Sequence, residues 1–197
     1  MKSLILDLHA INAIQFGSFT LKSGILSPIY IDVRLIISYP KLMKKMSALL
    51  NKLVSSITFE VICPIPYAAL PIATALSLEG EHPMLMCRKE SKEHGTKKMI
   101  EGKFEKGQIC LLIEDVITSG ASILETTAVL RKSDLEINDA VVILDREQGG
   151  KERLRENGIV LHSLISIFDL LKVLFHEKNI SEESFREVIE FLAVPAK

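Results

Sequence analysis

The period of the apolar residues changes repeatedly along this chain, and each change marks an element. Leu4 to Ile14 has helical spacing, whereas Phe19–Leu21 and Pro28–Val33 look extended and are separated by Lys22, Ser23 and Gly24. Pro40 opens a helix with Leu42, Met46, Leu49, Leu50 and Leu53 on one apolar face. Lys41, Lys44, Lys45 and Lys52 lie mostly off that face and are expected in solvent. Val61–Pro64 reads as a short buried strand, Ala68–Leu78 as a small-residue helix and Pro83–Cys87 as another strand. Arg88 to Gly107 has neither helix nor strand period. Ile109–Ile113, Ala140–Leu144 and Val160–Ser163 are further buried strands, and Ile123–Arg131 is a helix. Ser166 with Asp169 resembles a capping box before Ile167, Leu170, Leu171 and Leu174. Ser181, followed by two glutamates, opens a last helix with the stripe Phe185, Val188, Ile189 and Leu192.

Strands alternating with helices imply an α/β fold, with a mainly parallel sheet covered by helices on both faces. Ligands of such sheets bind at the C-terminal strand ends. Glu114 and Asp115 fall at one such end, and Asp145 and Arg146 at the next. No internal repeat or linker interrupts the 197 residues, which fit a single domain.

Composition narrows the class. An apolar share of 48% supports a compact globule, and a net charge of −1 gives no general nucleic-acid-binding surface. The apolar runs are too short to span a bilayer, so no membrane partner is expected. An early acid, Asp7, and the lack of a long apolar stretch argue against a signal peptide. Cys63, Cys87 and Cys110 are widely spaced, with no zinc-type pairing, and read as reduced buried thiols of a cytoplasmic protein.

The most informative segment is Leu111 to Ser122. An apolar run ends in two acids, Glu114 and Asp115. Val116 and Ile117 follow, then the small-residue loop Thr118-Ser119-Gly120-Ala121-Ser122, then a helix. As a bare pattern this is an ordinary strand, loop and helix. As a whole string it is specific: backbone N–H groups at a helix N-terminus suit a phosphate, and two carboxylates just before them suit the vicinal hydroxyls of a ribose. The loop is not a P-loop, because no Lys-Ser/Thr pair follows its glycine, and one glycine is too few for a dinucleotide fingerprint. The string matches the signature of type I phosphoribosyltransferases, which bind 5-phosphoribosyl 1-diphosphate (PRPP).

Arg88 to Gly107 holds seven Lys/Arg, four Glu and His94. Alone, it reads as a solvated surface loop. Beside a phosphate motif, it reads as a cationic lid that closes on a polyanion, with Gly95, Gly102 and Gly107 as hinges.

Taken together, these segments resemble the orotate phosphoribosyltransferase family over essentially the whole chain. The matching stretches are Phe19–Gly24, Ser27–Asp32, Pro66–Pro71, Arg88–Gly95, Glu114–Ser122 and Asp145–Gly150, in the family's order. The lid and Asp145–Gly150 look most like the version in the bifunctional enzyme that makes UMP. The resemblance implies a type I phosphoribosyltransferase fold with an N-terminal hood (about 1–35), a core (about 36–197) and a mobile lid (about 88–107).

It also implies roles. Lys22 reaches both substrates from the hood, and Tyr30 and Ile31 pack near the orotate ring. Thr118 sits where ring and phosphoribosyl group meet, and Arg146 contacts orotate. Tyr67, Arg88, Lys89, Lys92 and His94 bind PRPP, with Lys92 on the diphosphate. Glu114 and Asp115 hold the ribose hydroxyls, Thr118, Ser119, Gly120, Ala121 and Ser122 hold the 5-phosphate, and Val116 and Ile117 complete the PRPP-binding stretch. Lys92, Lys22, His94 and Asp115 are the implied catalytic set. The implied cofactor is Mg2+, held mainly by PRPP oxygens, and the implied assembly is a homodimer with lids shared across the interface. Two positions depart from the family pattern: Ala68 stands where many bacterial members carry lysine, and Glu114 where many members have aspartate. The competing classes are a purine or uracil phosphoribosyltransferase and a PRPP-sensing regulator that binds nucleic acid. The Lys22–Gly24 region and Arg146 argue against the first, and the lack of a basic nucleic-acid patch argues against the second.

Overall fold

The structure, a computed structural model, describes residues 1–20, 24–88 and 99–193. The chain opens with α1 (Lys2–Ala10), which buries Leu4, Ile5 and Leu8. This helix is shorter than the apolar spacing predicts. Asn12 adopts a left-handed φ of 59°, and Ile14 pairs with Ile31 instead of continuing the helix. β1 (Ile14–Thr20) and β2 (Leu26–Ile31) form an antiparallel two-stranded ribbon. After it, Val33–Ser38 is a 3-10 helix rather than extended chain, with the Asp32 carboxylate accepting from the Arg34 N–H at its start. α2 (Pro40–Val54) then begins at the expected proline. Its lysines are not all solvated, because Lys45 forms an ion pair with Asp7 of α1.

β3 (Val61–Pro64), α3 (Ala69–Gly80), β4 (Met86–Cys87), β5 (Ile100–Glu101), β6 (Cys110–Ile117), α4 (Ala121–Arg131), β7 (Asp139–Asp145), α5 (Gly150–Glu156), β8 (Val160–Ser166), α6 (Ile167–His176) and α7 (Glu182–Leu192) complete the chain. The central sheet has four strands, all parallel, in the order β3-β6-β7-β8. Its strands read as unbroken apolar runs because successive side chains enter different cores. Ile62, Leu111, Ile113, Val141 and Ile143 pack with α1, α2 and α6. Val61, Cys63, Cys110, Leu112 and Val142 pack with α4 and α5.

Three differences from the sequence pattern bear on function. β6 continues past the acids to Ile117, because Val116 and Ile117 still pair with Leu144 and Asp145 of β7. Within the aperiodic basic segment, Ile100 and Glu101 pair with Cys87 and Met86, making a short antiparallel β4–β5 arm. α5 has no clear sequence signal: it is short, highly charged, and Leu154 is its one buried large apolar residue.

The two caps lie where the serines place them. Ser166 accepts from the Asp169 N–H, and Ser181 from the Ser184 N–H. The three cysteines are buried and free. Several histidines have partners that their sequence context does not reveal: His82 bonds Asn51 at 2.9 Å and His162 bonds Asp139 at 2.7 Å. Among the described residues no helix is long and apolar enough to cross a membrane.

Gly150 fixes how α5 meets the loop after β6. A Cβ there would sit 2.6 Å from the Thr118 carbonyl oxygen and 2.8 Å from the Ile117 side chain. Gly150→Ala should therefore cost about 1–3 kcal/mol of stability through overpacking against backbone. Urea unfolding measures this. An unchanged midpoint with an unchanged slope would show that the contact is not needed.

Candidate active site

The site starts from the last four residues of β6. Glu114 is 7% exposed, although it carries a carboxyl group, and Asp115 beside it is half-buried. One Glu114 oxygen accepts from the Asp115 backbone N–H at 3.1 Å, and the other from the Ser122 hydroxyl at 2.8 Å. Burial, and after it the neighbouring Asp115 carboxyl, pushes the Glu114 pKa up to about 8, while the Ser122 hydroxyl and the Asp115 N–H pull it down.

The loop beyond Ile117 is shaped by its supports. Gly120 has a left-handed φ of 75° and precedes α4 with no side-chain cap. The first N–H groups of that helix have no partner within the helix, as an anion-binding N-terminus requires. Gly150 packs under Thr118, and Arg153 of α5 donates to the Ser119 carbonyl at 3.3 Å. Neither support was foreseen from sequence, and only the order Gly150, Arg153, Leu154 on one short helix hints at it.

Arg146 follows β7, one strand away. Its backbone N–H donates to the Ile117 carbonyl at 3.1 Å, which sets it beside the loop. Its Nε and Nη2 are buried and have no partner among the described residues, and burial lowers its pKa. Buried guanidinium donors of this kind call for an acceptor. Asp145 is also buried, its carboxyl pushed upward by that burial and held by the Glu147 N–H at 2.8 Å.

Across from α4, the stretch after β3 contributes Ile65 and Pro66. With Arg88, Met99, Glu114 and Ser122 they line a cavity of about 410 Å³. Arg88 does not point freely into it, because its guanidinium pairs with Glu101 of β5. That salt link and the β4–β5 arm were hidden in the aperiodic segment. A larger groove of about 630 Å³ lies beside Tyr39 and Pro40 and contains none of the groups above. Tyr67 follows a cis Pro66–Tyr67 peptide and is largely exposed.

The N-terminal ribbon carries two further expected residues, Tyr30 and Ile31, on β2. Tyr30 stacks on Phe19 with ring centroids 5.5 Å apart, and Ile31 packs against the core. Arg34, which was not singled out in the sequence, is gripped by Asp32 through Nε at 2.6 Å and Nη2 at 2.8 Å. Asp32, and at longer range Tyr30 and Asp115, hold that guanidinium in its charged form.

Glu114, Asp115, Val116, Ile117, Thr118, Ser119, Gly120, Ala121 and Ser122 are thus contiguous around one strand end, with Arg146 beside them and Arg88 across the cavity. Within this stretch the Ser122 hydroxyl is directed to Glu114. Lys22, Lys89, Lys92 and His94 lie outside the described residues.

This fold, with a small-residue loop at a strand end, is that of the phosphoribosyl transferase domain. The family model for the phosphoribosyl transferase domain matches residues 36–165. A Bos taurus uridine 5'-monophosphate synthase is 44% identical over 192 residues, covering 96% of this chain and 40% of that protein. A Caenorhabditis elegans orotate phosphoribosyltransferase is 41% identical, covering 96% of this chain and 84% of that protein. The structure of Leishmania donovani UMP synthase superposes with a TM-score of 0.90 at 34% identity, over 98% of this chain and 42% of that one. The chain therefore spans about two fifths of the length of the two synthases it matches, and it belongs to the orotate phosphoribosyltransferase family.

The buried acid makes stability depend on pH. A carboxyl whose folded pKa lies above its unfolded value binds protons more tightly when folded. Its contribution is intact below about 4.5 and is lost as pH rises through about 8. Glu114→Gln should therefore lose less stability than the unsubstituted protein when urea unfolding is compared at about pH 5 and about pH 9. Parallel losses in the two proteins would show that Glu114 titrates normally.

Proposed function

We propose that the chain transfers the phosphoribosyl group of PRPP to orotate, giving orotidine 5'-phosphate and diphosphate in the route to UMP. A ring nitrogen of orotate forms a bond to the anomeric carbon while the bond from that carbon to the diphosphate oxygen breaks. Orotate is already an anion, so no nucleophilic side chain is needed. Catalysis then rests on positioning, on stabilising charge in the departing diphosphate and on excluding water.

The observation that carries this reading is the two buried Arg146 nitrogens, Nε and Nη2, which have no partner among the described residues and lie one strand from the Glu114–Ser122 loop. A guanidinium that retains free donors suits a flat anionic acceptor. Glu114 and Asp115 take the ribose hydroxyls, and the uncapped α4 N-terminus takes the 5-phosphate. Tyr30 and Ile31 border the ring, with Thr118 at the junction. Tyr67, Arg88, Lys89, Lys92 and His94 bind PRPP in this reading, with Lys92 acting on the diphosphate. Lys22 takes the role of reaching both substrates. The printed names of the bovine and nematode relatives support orotate as the acceptor.

Among the described residues no group of three or more His, Cys, Asp or Glu is placed to hold a metal ion. In this reading a hard cation would arrive on PRPP oxygens, since Mg2+ favours substrate phosphates over all-protein cages. Bound that way, Mg2+ neutralises charge on the diphosphate. The reaction takes place in the cytoplasm and involves neither nucleic acid nor membrane.

Loss of orotate's ultraviolet absorbance on adding PRPP and Mg2+ tests the assignment, with Arg146→Ala measured alongside. The expected result is orotate-dependent turnover and an orotate KM raised about tenfold or more in the variant, with less effect on PRPP. Preference for a purine base or uracil in competition would overturn it.

The active unit of this reading is a homodimer whose lids act on the partner's site, since two-fold symmetry makes two equivalent shared sites. Lys92→Ala and Asp115→Ala homodimers should each be nearly inactive. Co-refolding them should restore activity, because one mixed site joins an intact lid to an intact core. Mixed dimers that form in a tagged pull-down yet stay inactive would mean that each lid closes on its own subunit.

A further inference from the structure

Ser122 occupies the second position of α4, where the family signature assigns a phosphate loop. Its hydroxyl does not cap its own helix, and α4 starts with no side-chain cap at all. Instead it donates to Glu114 at 2.8 Å, across eight residues of sequence. The other Glu114 oxygen is taken by the Asp115 N–H. Both oxygens of a nearly fully buried carboxyl are thereby fixed, one by the strand and one by the helix. The longer arm of glutamate, at a position where many family members carry aspartate, is what lets the carboxyl reach the helix.

We infer that Ser122 is a positioning residue for Glu114: its hydroxyl holds that carboxyl in the orientation that meets the ribose, and it is not a ligand of the 5-phosphate. Phosphate recognition is left to the backbone N–H groups at the start of α4. Loop and acid are thereby joined, so the start of α4 and the ribose acid are held in one fixed relation. The hydroxyl also opposes the effect of burial, because its hydrogen bond favours the ionised acid. The inference rests on the proposal that this strand end binds PRPP.

The test is a double-substitution cycle read by calorimetric binding of PRPP in the presence of Mg2+. Ser122→Ala should weaken PRPP binding about tenfold, the size expected when a buried carboxyl loses a hydrogen-bond partner. Ser122→Thr, which keeps the hydroxyl, should recover most of that loss. In a Glu114→Asp background the shorter carboxyl no longer reaches, so Ser122→Ala should cost less than about twofold. Inorganic phosphate, used as the competing probe, should bind unsubstituted protein and Ser122→Ala equally well. Equal losses in both backgrounds, together with weakened phosphate binding, would make Ser122 a phosphate ligand and overturn the inference. Full PRPP affinity in Ser122→Ala would also overturn it.

If the unsubstituted protein does not bind PRPP, it is the functional proposal that fails. Ser122 is then judged by NMR titration of the Glu114 carboxyl. Asp115, Arg88 and Glu125, the charged groups around it, are common to all the variants. The titration should move to higher pH in Ser122→Ala and return in Ser122→Thr, and an unmoved titration would refute the positioning role.

Discussion

The parallel pairing of β6 with β7 is the constraint on which the site depends. Val116 lies opposite Leu144 and Ile117 opposite Asp145, and the ladder is closed by the Arg146 N–H donating to the Ile117 carbonyl. That register decides which residues leave the two strands side by side. It sets Arg146 next to Thr118 and delivers Gly150 under the Thr118 carbonyl. A shift of one residue would reverse every side chain and send Glu114 and Asp115 to the opposite faces. The register holds because both faces of the strands are packed, with Leu111 and Ile113 in one core and Cys110 and Leu112 in the other.

Around that register the polar groups are arranged at evident cost. A carboxyl that is 7% exposed and a guanidinium with two buried, unpartnered nitrogens are unfavourable in an interior unless something compensates. Glu114 is compensated locally by the Asp115 N–H and the Ser122 hydroxyl. Arg146 is not compensated among the described residues. Such imbalance is typical of binding sites, where a ligand supplies the missing partner. The supports are correspondingly stiff: Gly150 permits a close backbone approach, and Arg153 holds the Ser119 carbonyl from outside.

The arm formed by β4 and β5 borders the cavity, and the N-terminal ribbon has its own internal supports. Tyr30, stacked on Phe19, and Arg34, gripped by Asp32, carry the N-terminal ribbon toward Asp115. Arg88, paired with Glu101, lies across the cavity from Glu114. Arg146 and Gly150 reach the loop after β6 from beyond β7, and Arg88 lines the cavity from beyond β4, so a site that looks like one motif is assembled from several elements.

Much of this was legible in the sequence because it is local. The apolar runs Val61–Pro64 and Ala140–Leu144 mark strands, since burial on both faces requires them to be continuous. Pro40, Ser166 and Ser181 mark helix starts because caps act within one turn. Glu114, Asp115 and the Thr118–Ser122 loop stand out because phosphate and ribose chemistry needs those groups in one short stretch. Other features needed the folded chain, because they depend on residues brought together from a distance. α1 stops at Ala10 because Ile14 finds Ile31, and β6 runs on to Ile117 because Asp145 awaits it. Ser122 turns to Glu114 because a helix packs against the end of a strand. Periodicity records which residues are buried along one element. It carries no record of which elements meet, and here that meeting decides what each polar side chain can touch.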